Sequence, residues 1–378
     1  MLFRTALLII LHEKEKFLGA VVGVTLALFL VLLQSGFYLG YKRDITVILD
    51  SIDADLWIVP KGQVSFDGWD HIDDLAYWKT KGHPDVAKCS RLICGYAPWR
   101  LPEGGGKDMV QVIGVDFESD PPVNFEIDHP DPASLLRPEG NVLIGKKDRE
   151  KLGIEELGID GVEIFGRRAT AVGYVEGIHL FNTAGFVMTD LDNAQAFLNL
   201  PPSHVTYIIC KCRPTADVAQ VCEELRRAYP EHDVLTTETF RGMAATYWET
   251  NTGIGPVLML SAVLAVLVGF LIVMSTFYIS TIEKVPMFAG LRALGASTAE
   301  ICSILAFQVV AVFLFGCAVA GVSLYVTVLC LRESTISVEI TPSVVAMGVG
   351  VMIACSALGS LLSIRKLVTT DPGEAFRS

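Results

Sequence analysis

The chain has 378 residues, 51% of them hydrophobic and only 19% charged, a balance that points away from an ordinary soluble enzyme. Its formal net charge of −12 is concentrated, since residues 41–253 hold 21 Lys and Arg against 34 Asp and Glu while the remainder is close to neutral. No basic stripe exists for a nucleic acid to follow, so nucleic acid is excluded as a partner.

Four stretches contain no Asp, Glu, Lys or Arg at all: residues 17–41, 250–282, 301–331 and 340–364, which are 25, 33, 31 and 25 residues long. A helix rises 1.5 Å per residue, so roughly 20 apolar residues cross the hydrocarbon core of a bilayer, and each stretch suffices. The expected fold is an α-helical membrane protein with four transmembrane helices (1+3) and a large α+β extracytoplasmic domain between helices 1 and 2. The chain order is a cytoplasmic segment 1–16, helix 17–41, the domain 42–250 and helix 251–282. A cytoplasmic loop 283–300, helix 301–331, a short outer loop 332–340, helix 341–364 and a cytoplasmic tail 365–378 follow. The first stretch exceeds a typical signal-peptide core and no A-x-A-like site follows Gly40, so it reads as a retained signal anchor. Gly19, Gly23 and Ala27 recur every four residues along it, and Gly36 and Gly40 repeat the spacing. Small residues on one face let helices approach closely, either within one subunit or at a dimer seam.

In the domain, residues 55–60 and 91–101 read as strands, and 109–115 as a hairpin return after the glycines at 104–106. Further strands are expected at 186–189, 205–212 and 234–237. Between them Asp190 caps a helix through Leu198, and 216–229 forms an amphipathic helix. This β-α-β-α-β run suggests a ferredoxin-like layer. Cys210 and Cys212 stand at i, i+2 on one strand face, and the domain's five cysteines (Cys89, Cys94, Cys210, Cys212, Cys222) leave one thiol over if the others pair. Buried thiols or an ordinary disulfide fit them better than a metal site, for which His204 alone adds too little.

Candidate chemistry fails on inspection. The run from Gly140 to Lys147 nearly fits a phosphate-binding loop, but Lys147 occupies the place of the Ser or Thr that would hold Mg²⁺. A strand turning into a helix at 147–152 explains both of its glycines. No zinc-protease or serine-hydrolase motif is present, so no catalytic residue, metal or cofactor is assigned. The charge-free stretches also lack the intramembrane ionisable residues that ion-coupled transporters keep.

Orientation follows from the basic residues. Arg4, Lys14 and Lys16, then Lys284 and Arg292, then Arg365, Lys366 and Arg377 fall on one side of a four-helix topology. The positive-inside rule places that side, with both termini, in the cytoplasm, although Lys42 and Arg43 are a local exception.

Two cytoplasmic segments then resemble a known family. The loop from Glu283 to Ser297 looks like the coupling-helix loop of FtsX-like (MacB-type) ABC transporter permeases, and Asp371-Pro372-Gly-Glu374-Ala-Phe-Arg377 looks like that family's closing motif. Asp371 can cap a short helix with Pro372 at its first position and Glu374 at its third. Leu291 and Leu294 form an apolar ridge that Gly295 terminates. The resemblance implies that Val285, Phe288, Leu291, Arg292, Leu294 and Gly295 couple to an ATPase. Met287 departs from it, since relatives often carry an acidic residue there, and Pro286 is unusual. The segments 49–60 and 247–255 are similar to the permease of cyanobacterial heterocyst-glycolipid exporters. The resemblance therefore implies a non-catalytic permease in the bacterial inner membrane, working as a homodimer with two copies of a separate ABC ATPase. A periplasmic adaptor, an outer-membrane channel and lipid-like cargo are implied with it. Lipoprotein release, regulation of cell-wall hydrolases, or a membrane-anchored sensor without an ATPase are the alternatives.

Overall fold

The computed structural model describes residues 12, 14–68, 70–100, 107–154, 156–158, 160–178, 180, 185–283, 287, 290, 295–331 and 337–369. They form two compact units, one helical (within 1–40, 256–332 and 337–378) and one α/β, drawn chiefly from 41–255. Helix α1 (Lys14–Asp50) is one uninterrupted element that contributes to both cores. After it come β1 (Leu56–Pro60), β2 (Ile72–Asp73), α2 (Leu75–Lys81), the long β3 (Val86–Arg100) and β4 (Lys107–Val115). Next are β5 (Glu126–Ile127), α3 (Pro132–Leu136), β6 (Asn141–Gly145), β7 (Asp160–Ile164), β8 (Arg167–Glu176), β9 (Gly185–Asp190) and α4 (Leu191–Leu198). The unit ends with β10 (His204–Val205), β11 (Tyr207–Cys212), α5 (Val218–Ala228), β12 (His232–Thr236) and α6 (Thr237–Thr250).

Strand β3 is the pivot of the sheet. Its first half pairs with β11, and its second half pairs with β4. On the β11 side the order is β12-β1-β11-β3, antiparallel throughout. With α2 linking β1 to β3 and α5 linking β11 to β12, this is a split β-α-β pair, the ferredoxin-like arrangement. On the other side β4, β9, β6, β8 and β7 follow in turn, and β7 returns to Trp99 and Arg100 of β3. The second half of β3 thus takes part in a closed ring of six strands, which leaves the ring no free edge.

The ferredoxin-like layer expected from 186–237 exists, but with different members. Strand β9 belongs to the ring, and β1 and β3, far earlier in the chain, take its place. The helix expected at 147–152 is absent, and a short 3-10 turn at Lys146–Asp148 stands at its start. Elsewhere local chemistry held. The Asp190 carboxylate accepts from Asn193 N at 2.9 Å at the start of α4, and Asp217 caps α5 in the same manner.

The sheet is buried on both faces, which is why β1 reads Leu-Trp-Ile-Val with no polar alternation. Leu56 and Ile58 face a core closed by Tyr77 of α2, Ala194 and Phe197 of α4, and Val221 and Leu225 of α5. Trp57 and Val59 face the opposite core, closed by Val47, Ile48 and Leu49 of α1 and Phe240 and Ala244 of α6.

The helical unit adds α7 (Ile254–Glu283), α8 (Thr298–Leu331) and α9 (Pro342–Thr369), of 30, 34 and 28 residues. Among the described residues, three stretches, Lys14–Asp50, Ile254–Thr276 and Ala299–Leu331, are long and apolar enough to cross a membrane, and α9 is apolar from Pro342 through Leu358. Within this unit α1 touches all three partners. A Cβ on Gly23 would lie 3.0 Å from Thr276 Oγ1, and Ala27 packs on Gly269 of α7. The Thr25 hydroxyl donates to Gly316 O of α8 at 3.3 Å, and Leu32 covers Gly348 of α9. Gly36 accepts from Glu339 N at 3.0 Å, and a Cβ on Gly40 would sit 2.2 Å from Ser337 O. Leu260, Leu264, Leu271, Leu314, Val322 and Tyr325 point outward, an apolar exterior suited to lipid.

Gly114 of β4 lies under α4, where an added Cβ would meet Ala194 Cβ at 2.3 Å. Gly114→Val should cost about 1–3 kcal/mol by overpacking. Gly242→Ala, in open space on α6, should be neutral or stabilising by up to about 1 kcal/mol. Thermal midpoints of the detergent-solubilised chain check the pair.

Candidate functional site

The two sequence segments singled out at 49–60 and 247–255 both lie in the α/β unit, next to the contacts between α1 and α6. There the last turns of α1 and the end of α6 are fastened to each other. Tyr41 donates its hydroxyl to Trp248 O at 2.8 Å, Lys42 pairs with Glu249 at 2.7 Å, and Arg241 pairs with Asp50 at 2.5 Å. Tyr41 and Trp248 start the set, and Asp50 and Arg241 end it. The two segments run antiparallel.

Trp248 is held from a second direction. Its indole Nε1–H donates to Asp67 Oδ2 at 2.9 Å, while Asp67 Oδ1 accepts from the Tyr96 hydroxyl at 2.7 Å and from Gln111 Nε2 at 3.0 Å. Asp67 therefore joins α6 to β3 and β4 through three donors. A hydrogen bond to a carboxylate is worth more than a neutral one, and Asp67 accepts three. The adjoining ion pairs are partly solvated and contribute less.

Below this lies the cage around Trp57. Its ring is fully buried, with Phe66, Tyr207 and Phe240 at centroid distances of 6.2, 5.8 and 5.4 Å. Its Nε1–H donates to Thr237 Oγ1 at 3.0 Å, and Thr237 N donates to Asp55 O at 3.0 Å. Thr237 is the first residue of α6, so the same tryptophan that anchors β1 fixes the start of that helix. Burial pushes the Tyr207 hydroxyl well above its ordinary pKa, and it stays a donor, to Phe66 O at 2.7 Å. Lys211 closes the outer rim against Asp53 and Asp55 at 2.7 and 3.0 Å, and its pKa is raised chiefly by the bond to Asp53.

At the other end of α6 the chain turns sharply. Gly253 has φ +75°, and a Cβ on Gly255 would lie 2.6 Å from Glu249 O. Thr252 donates its hydroxyl to Trp248 O at 2.7 Å. Only glycine fits both constraints at low cost, so this short link separates α6 from α7.

Of the coupling residues named from sequence, only Gly295 lies among the described residues. Its φ of +95° suits the helix stop expected of it. Val285, Phe288, Leu291, Arg292 and Leu294, and Asp371, Pro372 and Glu374 of the tail, lie outside the described residues. Just beyond, Ser297 and Glu300 form a reciprocal cap on α8: Ser297 N donates to Glu300 Oε2 at 2.8 Å and Glu300 N to Ser297 Oγ at 3.3 Å. That Ser-x-x-Glu spacing was readable in the sequence. Gly23 and Ala27 are engaged with α7 inside the chain, whereas among the described residues nothing lies within 4 Å of an added Cβ at Gly19. The phosphate-loop lookalike is occupied by its own structure. Gly140 N donates to Asn193 Oδ1 at 2.9 Å, and the Asp148 carboxylate fills the space above Gly145. Among the described residues no group of three His, Cys, Asp or Glu is placed to hold a metal.

This geometry is that of a membrane-anchored α/β domain whose flanking helices are fastened at one junction. The MacB-like periplasmic core domain family matches residues 17–228, more than half of the chain, and the FtsX-like permease C-terminal family matches 259–372. The chain belongs to the permease family that these two domains define. Two uncharacterized ABC transporter permeases, from two strains of Mycobacterium tuberculosis, are each 32% identical to it over 122 residues. That alignment spans 30% of this chain and 32% of each relative, so the chain covers about a third of their length. Among solved structures, the periplasmic region of MacB from Actinobacillus actinomycetemcomitans aligns with 55% of this chain and 99% of its own at 11% identity and a TM-score of 0.38. The extracellular domain of the noncanonic ABC-type transporter YknZ from Gram-positive bacteria aligns with 48% and 98% at 12% identity and a TM-score of 0.36.

Sequence reasoning missed Asp67, Tyr96, Gln111, Thr237 and Arg241. No local pattern marks them, although their partners Trp57 and Trp248 stood inside the two resembling segments. Trp248→Phe removes one donor to Asp67 and should destabilise the α/β unit by about 1–3 kcal/mol. Lys42→Ala should cost less than about 1 kcal/mol. Urea unfolding followed by tryptophan fluorescence ranks the two.

Proposed function

We propose that this protein is the membrane subunit of a bacterial ABC exporter, itself non-catalytic, which passes the motion of a separate ATPase to its α/β domain. The reading rests on membership of the permease family and on one observation, the clamp that ties Tyr41, Lys42 and Asp50 to Trp248, Glu249 and Arg241. A displacement of α1 reaches the domain through residues fixed to α6.

The chain sits in the inner membrane with both termini in the cytoplasm and the α/β domain outside. It works as a homodimer with two copies of the ATPase, whose nucleotide-driven closure moves the segment 283–300. Within that segment Val285, Phe288, Leu291, Arg292, Leu294 and Gly295 meet the ATPase, and the tail motif at Asp371, Pro372 and Glu374 braces the same face. The four charge-free sequence stretches supply no ionisable residue for a charged path, which favours transmission of motion over passage of cargo through them. The domain then acts on lipid-like cargo outside the bilayer, with a periplasmic adaptor and an outer-membrane channel completing the path.

Co-purification with the host's ABC ATPases in lipid nanodiscs tests this. The chain should retain an ATPase whose hydrolysis rate depends on the complex. Leu291→Asp should reduce the retained ATPase at least tenfold while leaving the thermal midpoint of the α/β domain unchanged. Full retention by Leu291→Asp, or a chain that holds no ATPase, would overturn the reading and favour a sensor or assembly role.

A further inference from the structure

Five cysteines lie in the α/β unit, and the strand register selects one pair among them. Cys89 on β3 and Cys210 on β11 are directly opposed partners in the antiparallel ladder. Their side chains point into the same core, and the two Sγ atoms are 3.4 Å apart. Both residues are buried, at 3% and 0% exposure. The other three are differently placed. Cys94 faces the opposite core, where Gln111 Nε2 donates to its sulfur at 3.0 Å. Cys212 lies one full strand repeat beyond Cys210, and Cys222 on α5 donates to Val234 O at 3.5 Å.

We propose that Cys89 and Cys210 are the substrate of a disulfide-donating oxidant and form a cross-strand disulfide between β3 and β11 as the domain folds. This rests on the proposed placement of the domain outside the cytoplasm, where such oxidants operate. The exchange balances with one oxidised donor, R–S–S–R′. The thiolate of one cysteine attacks a donor sulfur, its proton passes to solvent, and R′–SH leaves. The second cysteine loses its proton, attacks the resulting mixed disulfide, and releases R–SH. Two cysteine sulfurs are oxidised, two donor sulfurs are reduced, and one S–S bond replaces another.

Timing follows from burial. The shared hydrogen bond to Cys89 and the apolar surroundings raise the Cys210 pKa well above the ordinary thiol range, so folded Cys210 holds little thiolate, and both sulfurs are buried away from a donor. Thiolate is the reactive form. Oxidation therefore precedes closure of the core, and the finished bond is shielded from reductants by the same packing. Its position matters, because β3 is the strand shared by the ferredoxin-like layer and the six-stranded ring. A bond there ties β11 to the strand that continues into the ring, across 121 residues of sequence.

The test is thiol counting on the full chain taken directly from membranes, acid-quenched and alkylated in denaturant with and without prior reduction. Of the nine cysteines, two should be unavailable until reduction, and peptide mapping should join the segments carrying Cys89 and Cys210. Cys89→Ser should leave every remaining cysteine alkylated without reduction. In parallel, Glu231→Cys, at an exposed position, is labelled in intact cells with a membrane-impermeant maleimide. Two protected thiols support the disulfide. Nine free thiols with Glu231→Cys labelled overturn it and leave the topology standing. Nine free thiols with Glu231→Cys unlabelled overturn both.

Discussion

The structure depends on one constraint, that α1 must serve two environments without a break. Its earlier residues Val24, Ala27 and Leu28 are packed in the core of the helical unit, and Val47, Ile48 and Leu49 are packed in one core of the α/β unit. A 37-residue helix spans about 55 Å. A helix satisfies its own backbone hydrogen bonds in either environment, so the change from one to the other needs only a change of side chains. Glycine and alanine serve the first part, where neighbouring helices approach closely. Branched aliphatic residues serve the second, where a sheet must be covered.

The second link between the units is built differently. Between α6 and α7 the chain passes through Gly253 in a left-handed conformation and Gly255 in close contact with Glu249. Helix α6 is nevertheless firmly held, by Thr237 beneath Trp57 at its start and by Trp248 on Asp67 near its end. One connection is a continuous rod and the other is a rigid helix followed by a glycine link. Tyr41, Lys42 and Asp50 bind α6 rather than α7, so within the α/β unit the end of α1 and the whole of α6 are held together.

Much of this was legible in the sequence, and the limits are physical. Charge-free stretches announced the long apolar helices because nothing else sustains so many uncharged residues. Strands β4, β9 and β11 and the cap at Asp190 followed from local pattern. The ferredoxin-like layer was misassembled because its two halves are separated by the whole ring, and adjacency in sequence suggested β9 where β1 and β3 belong. The hairpin of β7 and β8 escaped notice because its charged, alternating residues at 160–176 resemble loop composition. Asp67 was invisible for a different reason: it lies in a short segment of no regular structure, and only the fold brings Tyr96, Gln111 and Trp248 to its two oxygens.

The small residues of α1 carry the same lesson into the helical unit. A ladder at every fourth position is compatible with a seam between subunits or with packing inside one. Here Gly23, Ala27, Gly36 and Gly40 are each covered by the chain's own α7 or by the segment leading into α9. The clearance at Gly40 is so small that any side chain would displace Ser337. What α1 leaves uncovered is instead a stripe of larger residues, Leu18, Val22 and Leu26, spaced one helical repeat apart beside the open Gly19. Close approach is thus spent within the subunit, and any further contact that α1 makes must be built on the bulkier apolar face. Such a face packs at ordinary helix distances of about 8–10 Å.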